Sequence, residues 1–570
     1  MRWTECEAHS MQRKTAVACL TSAMECAYRT TMRGHTGNKG QYFGSTARRG
    51  LRALAVAVLA AALTASGSLS ARPRIDKDSR DIEARLLADI RVLASDDFDG
   101  RKPGTKGETK TLHYLGKEWF DIGLVSGTND PGNEWFAPVT LLVREPAVST
   151  ARFWRKGRAV PFDRKSVLAL TWGKRAMVSS APLLFVGHGQ GAELTRAELA
   201  GRVALLLDGD GTDGSRQNML LQKGAAAVLT VLDGHRTLAD VAARRERSGY
   251  ALADEGLDSD IEAYATREGV TELLAHAGLS LQKLEAKAAA PGFVPRVLDI
   301  AVSLEATTTE TTIHTHNLIG KLPGRDPSQG AVLFLAHWDH FGECAAAGAP
   351  DRICNGAVDN ASGVAALTEV ARQLARGPQL DRDIYFMATT GEESGLLGAH
   401  AFADNPPIPL DRFVAAFNID SPAIAPHGTP FAIVGRGMTA LDPEIEKVAK
   451  AQKVKIVQNN DANEYVRRQD GWALLQHDVP AVMVTTAYGE LSRLRAFFEG
   501  PYHRPIDDVA HLGPLGGAAD DTRMLTALGR WFGDAQSYSP TTSDSVPASP
   551  ATAAATGIAI GASTPAANAK

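Results

Sequence analysis

The sequence predicts an α/β fold around a buried, parallel sheet, and three observations carry that expectation. Residues 331–336 (AVLFLA), 384–390 (IYFMATT), 413–419 (FVAAFNI) and 480–486 (PAVMVTT) are short, uninterrupted apolar runs, the pattern of strands covered on both faces. The first three end abruptly in His337-Trp338-Asp339-His340, in Gly391-Glu392-Glu393 and in Asp420, which is how a parallel sheet delivers polar side chains at the carboxyl ends of its strands. Val364, Leu367, Val370 and Leu374 recur at the spacing of one helix face, directly after the small-residue loop Gly356-Ala357-Val358-Asp359-Asn360-Ala361-Ser362-Gly363.

A length of 570 residues exceeds one domain, and the composition divides the chain visibly. Residues 1–71 hold Arg48-Arg49-Gly50-Leu51-Arg52, an apolar run over 53–65, then small residues through Ala71. That is the pattern of a secretory signal, and its apolar run is too short for a comfortable membrane span. The region before the run is long, so the true start is expected at Met32 or another internal methionine. Arg48-Arg49 resembles a twin-arginine signal only in part, and the general secretory route is the expectation. No cysteine follows the apolar run, which argues against a lipid anchor. The mature chain is therefore expected in the periplasm or outside the cell, with no stable membrane span once the signal is removed.

Residues 81–93 (DIEARLLADIRVL) have helical periodicity and open a first catalytic piece, 72–146, with a second helix running to about Gly123. Over 147–310 the texture changes to apolar runs at 183–186, 203–207 and 225–231, an inserted unit. The catalytic region resumes over 311–536. From residue 537 the chain is Ser, Thr, Pro, Ala and Gly with little charge or bulk, and disorder is expected there. With 61 basic and 65 acidic residues the net charge is -4, which gives no footprint for nucleic acid, and no Gly-rich phosphate loop or repeat is present.

The chemistry-bearing residues sit at the ends of the apolar runs: His337, Asp359, Glu393, Asp420 and His503, with Glu392 beside the third. Two imidazoles and three carboxylates form the hard-to-borderline donor set that zinc takes, and a free glutamate next to a ligand supplies the proton acceptor that an activated water needs. A carboxylate bonded to metal is a poor base, so the adjacent pair divides the work. On this reading the chain is a metallohydrolase with two metals. A lone His at a strand end is ordinarily a surface or hydrogen-bonded residue. That bland reading fails only because five such positions occur together.

The segments AHWDHFG (336–342), GAVDNASG (356–363), TTGEESGLLGA (389–399), FNID (417–420) and YHRP (502–505) resemble, in order and spacing, the motifs of the co-catalytic di-zinc aminopeptidase family. That family includes bacterial leucine-type aminopeptidases and, more distantly, glutamate carboxypeptidase. The resemblance implies a zinc exopeptidase fold, with a mostly parallel sheet flanked by helices on both faces. It implies two zinc ions per chain bridged by Asp359, one also held by His337 and Asp420, the other by Glu393 and His503. Glu392 would be the general base, Asp339 a carboxylate supporting the site, and Tyr502 a donor to the developing oxyanion; a cis peptide after Asp359 is also implied. The stretch 94–105 (ASDDFDGRKPGT) resembles the segment that opens the family's catalytic domain, and the insert resembles a β-rich protease-associated domain. Its role is expected in substrate access or protein contact, or as a structural appendage.

The resemblance points to a zinc-dependent aminopeptidase acting on N-terminal peptide bonds of peptide substrates. Zinc carboxypeptidase or dipeptidase activity, or a receptor-like binding protein on this scaffold, are the alternatives. A one-zinc glutaminyl cyclase is disfavoured, because Asp359 and His503 are both in place beside Glu392. A dead scaffold should have lost ligands or the base, and none is missing. His340 reads as a supporting or loop-packing residue, and Asp507 and Asp508 as either solvated caps or the family's acidic position. Asp470, flanked by Gln469 and Gly471, departs from the family's Ser-Asp-His-like stretch and leaves the pocket wall open. Cys344 and Cys354 are the only cysteines of the mature chain. In an oxidising compartment they are expected to bridge, closing a short loop worth up to roughly 3 kcal/mol, and a zinc-ligand role is the weaker reading.

Overall fold

The computed structural model describes residues 77–129, 132, 134–189, 194–209, 213–253, 260–345 and 348–540. The expected signal over 1–71, with Cys6, Cys19 and Cys26, and the tail from 541 lie outside the described residues.

In chain order the strands that position the site are β1 (Phe136–Arg155), β2 (Arg175–Gly187), β3 (Val203–Leu207), β4 (Ala227–Val231), β5 (Ile261–Ala265), β6 (Arg296–Leu322), β7 (Ala331–His337), β8 (Asp383–Thr389), β9 (Phe413–Asn418), β10 (Ala432–Val434) and β11 (Ala481–Thr485). The corresponding helices are α1 (Lys77–Leu93), α2 (Lys106–Ile122), α3 (Gly363–Ala375) and α4 (Gly516–Gly533). One sheet segment runs in the order β10-β11-β9-β7-β8-β6. Strand β7 pairs in parallel with β8 and β9, and β9 in parallel with β11, while β6 and β10 join antiparallel at the two sides.

Alternation along β7 explains why its sequence is apolar throughout. Val332, Phe334 and Ala336 enter a cluster with Ile82, Leu86, Trp119, Val364, Leu367 and Leu528, so α1, α2, α3 and α4 cover that face. Ala331, Leu333 and Leu335 enter a separate cluster with Met387, Phe402 and Leu474 on the other face. Phe334 stacks between Phe386 and Phe417, with ring centroids 5.7 and 5.4 Å apart. Burying each such ring is worth about 1.5–3 kcal/mol, and the strand ends are held accordingly.

Helix α3 is buried along nearly its whole length, including a charge, Glu369. Arg85 of α1 grips that carboxylate bidentately at 2.9 and 2.7 Å, and Arg372 and Gln373 complete its hydrogen bonds at 2.6 and 3.0 Å. The Trp119 indole of α2 donates to Thr368 at 3.0 Å. Residues early in the chain are thereby locked into the same unit as residues beyond 331. Packed chain continues past 537: the Tyr538 ring lies 4.6 Å from Phe532, and Arg382 donates to the Tyr538 carbonyl at 2.9 Å.

Strands β1 and β6 form a long antiparallel ribbon, from Ala137 opposite Asn317 to Trp154 opposite Ala301, with a bulge at Thr307/Thr308. Its far end carries a second sheet segment, β2, β3, β4 and β5 in parallel succession with Val167–Thr171 antiparallel at the edge. This unit has its own apolar core around Phe153, Leu205, Leu229, Leu273 and Leu304. The positions 147 and 310 fall inside the ribbon strands. Near its base Val139, Leu141, Tyr250 and Leu252 pack on Leu397, just beyond the Glu392–Glu393 turn. Among the described residues no helix is long and apolar enough to cross a membrane.

Candidate metal centre

The carboxyl ends of three adjacent parallel strands and two loops bring the candidate residues together. His337 is the last residue of β7, in register with Thr389 of β8. Two residues beyond Thr389 the chain turns through Gly391, whose φ of 64° suits a residue without Cβ, into the short 3-10 turn Glu392–Ser394. Asp420 lies two residues past the end of β9. Asp359 sits in the loop that opens α3, and its peptide bond to Asn360 is cis. That loop needs Gly356: a Cβ there would come within 1.9 Å of the Asp359 carbonyl and 2.8 Å of the His340 ring. His503 follows the helix Leu491–Glu499 and adopts φ 57°, an uncommon conformation for a residue with a Cβ and one found at functional turns.

The six side chains form one cage. His337 Nε2 lies 3.3 Å from Asp359 Oδ1, 3.6 Å from Asp420 Oδ1 and 3.8 Å from Glu392 Oε2. His503 Nε2 lies 3.3 Å from Asp359 Oδ2 and 3.0 Å from Glu393 Oε2. Asp359 therefore presents one oxygen to each imidazole. Donor atoms of His337, Asp359 and Glu393, and of His337, Glu392 and Asp420, come within 4.8 Å of one another.

The surrounding residues orient this cage. His337 Nδ1 lies 3.2 Å from the Asp339 carbonyl oxygen, and Asp339 Oδ1 accepts the Glu392 backbone N–H at 3.2 Å. His340, fully buried, places Nδ1 2.5 Å from Glu393 Oε1 and leaves Oε2 facing His503. Asp507 is buried and accepts the backbone N–H groups of Val358 and Asp359 at 2.9 and 3.1 Å, whereas Asp508 accepts from His511. Asp470 is buried and accepts a hydrogen bond from Thr389 at the end of β8. Tyr502 stacks on the His503 ring with centroids 3.6 Å apart, and its hydroxyl oxygen accepts from Arg468 at 3.3 Å. A disulfide joins Cys344 to Cys354. Two contributors escaped the sequence reading. Arg101 lies beneath the cage with its guanidinium on main-chain carbonyls, and Arg468 flanks it. Nothing in a single sequence marks an arginine for burial, because arginines are rarely fully enclosed.

The adjacent glutamates experience opposite fields. Burial pushes the Glu392 carboxyl well above the usual range, and Asp420, Asp470 and Glu393 add to it against the pull of His337. Burial acts the same way on Glu393, but His503 and His340 overcome it and hold that carboxyl at about 2. Asp359 is held well below the ordinary range, its burial outweighed by His337 and His503. Burial lifts Asp339 to about 7, against the attraction of His337. His503 goes to about 9 because Glu393 and Asp359 outweigh its burial.

This arrangement fits zinc on two grounds. The donors are imidazole nitrogens and carboxylate oxygens in the proportions zinc takes. The His503 Nε2 atom is buried and makes no hydrogen bond, although two carboxylate oxygens lie close to it. A buried polar atom left without a hydrogen bond is costly, and a coordinated cation removes that cost.

Residues 317–520 match the sequence profile of Peptidase family M28. No curated protein sequence is significantly similar to the chain. Among solved structures, the chain is similar to the aminopeptidase from Aneurinibacillus sp. strain AM-1, with 17% identity over 80% of this chain and 94% of that one, at a TM-score of 0.50. A zinc aminopeptidase from Bacillus subtilis has 16% identity over 78% of this chain and 93% of that one, at a TM-score of 0.42. A Peptidase M28 precursor from Shewanella amazonensis SB2B has 16% identity over 81% and 97%, at 0.43.

Proposed function

Since residues 317–520 form a Peptidase family M28 domain and make this chain a zinc metallopeptidase, we propose that it is an exported aminopeptidase with a dinuclear centre, releasing N-terminal residues from peptides. The observation that carries the dinuclear reading is Asp359, whose two oxygens face His337 and His503 at 3.3 Å each. His337 and Asp420 would complete one zinc site, and Glu393 and His503 the other. Zinc held there supplies Lewis-acid polarisation of the scissile carbonyl and a water acidic enough to ionise near neutral pH.

The chain's own groups do the rest. Glu392 takes the proton from the attacking water and returns it to the leaving amine, its turn fixed by the Asp339 carboxylate on its backbone N–H. Asp339 supports His337 from behind, and His340 keeps Glu393 aimed at His503. Tyr502 is proposed to donate to the developing oxyanion. The aminopeptidase assignment draws on the named activity of similar folds. Export draws on the basic and apolar pattern before residue 71 and on the Cys344–Cys354 bridge, which belongs to an oxidising compartment. The insert over 147–310 is proposed as a protease-associated unit. A second reading, carboxypeptidase or dipeptidase, has one observation in its favour: the half-buried guanidinium of Arg468 beside Tyr502, a group suited to a substrate carboxylate.

Purified protein with zinc, assayed on Leu, Arg and Lys p-nitroanilides beside their N-acetyl forms and N-blocked peptides, separates these. Turnover confined to free-amine substrates is expected. Release of C-terminal residues from N-blocked peptides, with the anilides untouched, would replace the first reading by the second.

A further inference from the structure

Arg101 is 1% exposed, yet its guanidinium makes its hydrogen bonds to main-chain carbonyls. Nε donates to Trp338 O at 2.9 Å, Nη1 to Leu93 O at 2.9 Å and to Asn355 O at 2.6 Å, and Nη2 to Gly356 O at 3.0 Å. Trp338 follows His337, and Asn355 and Gly356 precede Asp359 in the same loop. One rigid fork thus ties two ligand-bearing segments to each other and to the end of α1. The opposite side of the loop is held with the opposite charge. Asp507, four residues beyond His503, takes the N–H groups of Val358 and Asp359 on its two carboxylate oxygens, and its carbonyl takes the N–H of Ala357 at 3.0 Å. Loop 355–359 is clamped by its carbonyls on Arg101 and by its amides on Asp507.

We infer that Arg101 is a positioning residue for the zinc cage, fixing the His337 and Asp359 segments in ligand geometry before any ion arrives. The inference rests on the zinc-centre reading above. The carboxylates of Asp507, Asp359, Asp339 and Glu393 all act on this guanidinium, so the metal-free cage is a crowd of like charges around one permanent cation. Without the clamp those charges separate, and zinc binding must reassemble them, which weakens affinity. Geometry and charge make different demands here. A lysine keeps the charge but is a point donor that cannot span four carbonyls, whereas a methionine keeps neither.

The test is zinc affinity of the full chain, measured by competition against a chelating dye, for wild type, Arg101→Lys and Arg101→Met, with the Co2+ absorption spectrum as a second readout. Both variants are expected to bind zinc about ten- to a hundredfold more weakly and to show an altered Co2+ spectrum. Unchanged affinity and spectrum, with only a lower melting temperature, would overturn the inference. Should the variants fail to fold, hydrogen exchange in metal-stripped wild type decides: Ala357, Val358 and Asp359 amides are expected to keep their protection, and its loss on stripping refutes preorganisation. A wild type that binds no zinc removes the metal-centre reading itself, whereas two bound ions with indifferent variants remove only the role of Arg101.

Discussion

Glu392→Gln probes the division of labour in the cage at a single atom. The substitution exchanges one carboxylate oxygen for an amide of the same shape, leaving the donors of His337, Asp359, Asp420, Glu393 and His503 as they stand. Glu392 Oε2 is 3.8 Å from His337 Nε2, farther than Asp359 Oδ1 at 3.3 Å, so it borders the cage with room to take a proton from a substrate-side water. Its backbone N–H stays on Asp339, and the turn should persist. Loss of a positioned general base lowers kcat by about 10²–10⁴, which at about 1.36 kcal/mol per decade is about 2.7–5.4 kcal/mol of transition-state stabilisation. Because the base acts only as the water is deprotonated, kcat and kcat/KM should fall together while KM holds. Initial rates on Leu p-nitroanilide, with zinc content measured on the same samples, provide the assay. Full zinc content with turnover within about threefold of wild type, a loss of under about 0.7 kcal/mol, would refute the assignment.

Asp359→Ala should strip both zinc equivalents, whereas His503→Ala should lose one and keep the His337 and Asp420 side; elemental analysis after gel filtration reads the two counts, and equal losses would contradict the bridging role. Glu369→Ala leaves Arg85 and Arg372 without their buried partner. About a third of the Arg85 side chain is exposed, so the low end of the range for a broken buried pair applies, about 3 kcal/mol by urea titration. His427 sits between Glu83 at 2.6 Å and Asp520 at 3.0 Å; burial disfavours its charge, but the two carboxylates prevail and raise its pKa above 6.5. A raised folded value means the stabilisation is complete below the unfolded pKa and is lost as pH rises through the folded one. The urea midpoint of wild type minus that of His427→Asn should therefore shrink from pH 6 upward, and a gap that widens with pH would reverse the argument.

The centre was legible because parallel strands write their own endpoints. An apolar run that stops at His337, Glu392 or Asp420 names both the strand and the residue at its active edge, and α3 was readable from Val364, Leu367, Val370 and Leu374. The apolar runs of the insert reappear as β2, β3 and β4 for the same reason. The ribbon that carries the insert was not legible. Residues 307–312 (TTTETT) are polar, yet they belong to the strand Arg296–Leu322, which is stabilised by its ladder with β1 and not by burial on both faces. Boundaries read from the change of texture at 147 and 310 therefore fall within strands. Arg101 and Asp507 were illegible for a different reason. Each acts mainly on main-chain groups of a distant loop, and main-chain partners leave no complementary side chain in the sequence to find.

The glutamate pair shows where sequence stops and folded environment begins. Glu392 and Glu393 are identical in chemistry and share one turn, so the string of letters alone gives no reason for one to bind metal and the other to carry a proton. The fold separates them by what it places opposite: two imidazoles, His503 and His340, against Glu393, but one imidazole and two further carboxylates, Asp420 and Asp470, around Glu392. That asymmetry depends on the turn holding its angle. Gly391 supplies the left-handed bend, and Leu397, buried beneath Leu141, Tyr250 and Leu252, anchors the chain just beyond it. Tyr250 and Leu252 belong to the insert, so the inserted unit reaches the chemistry through packing: it braces the turn that decides which glutamate faces which charge.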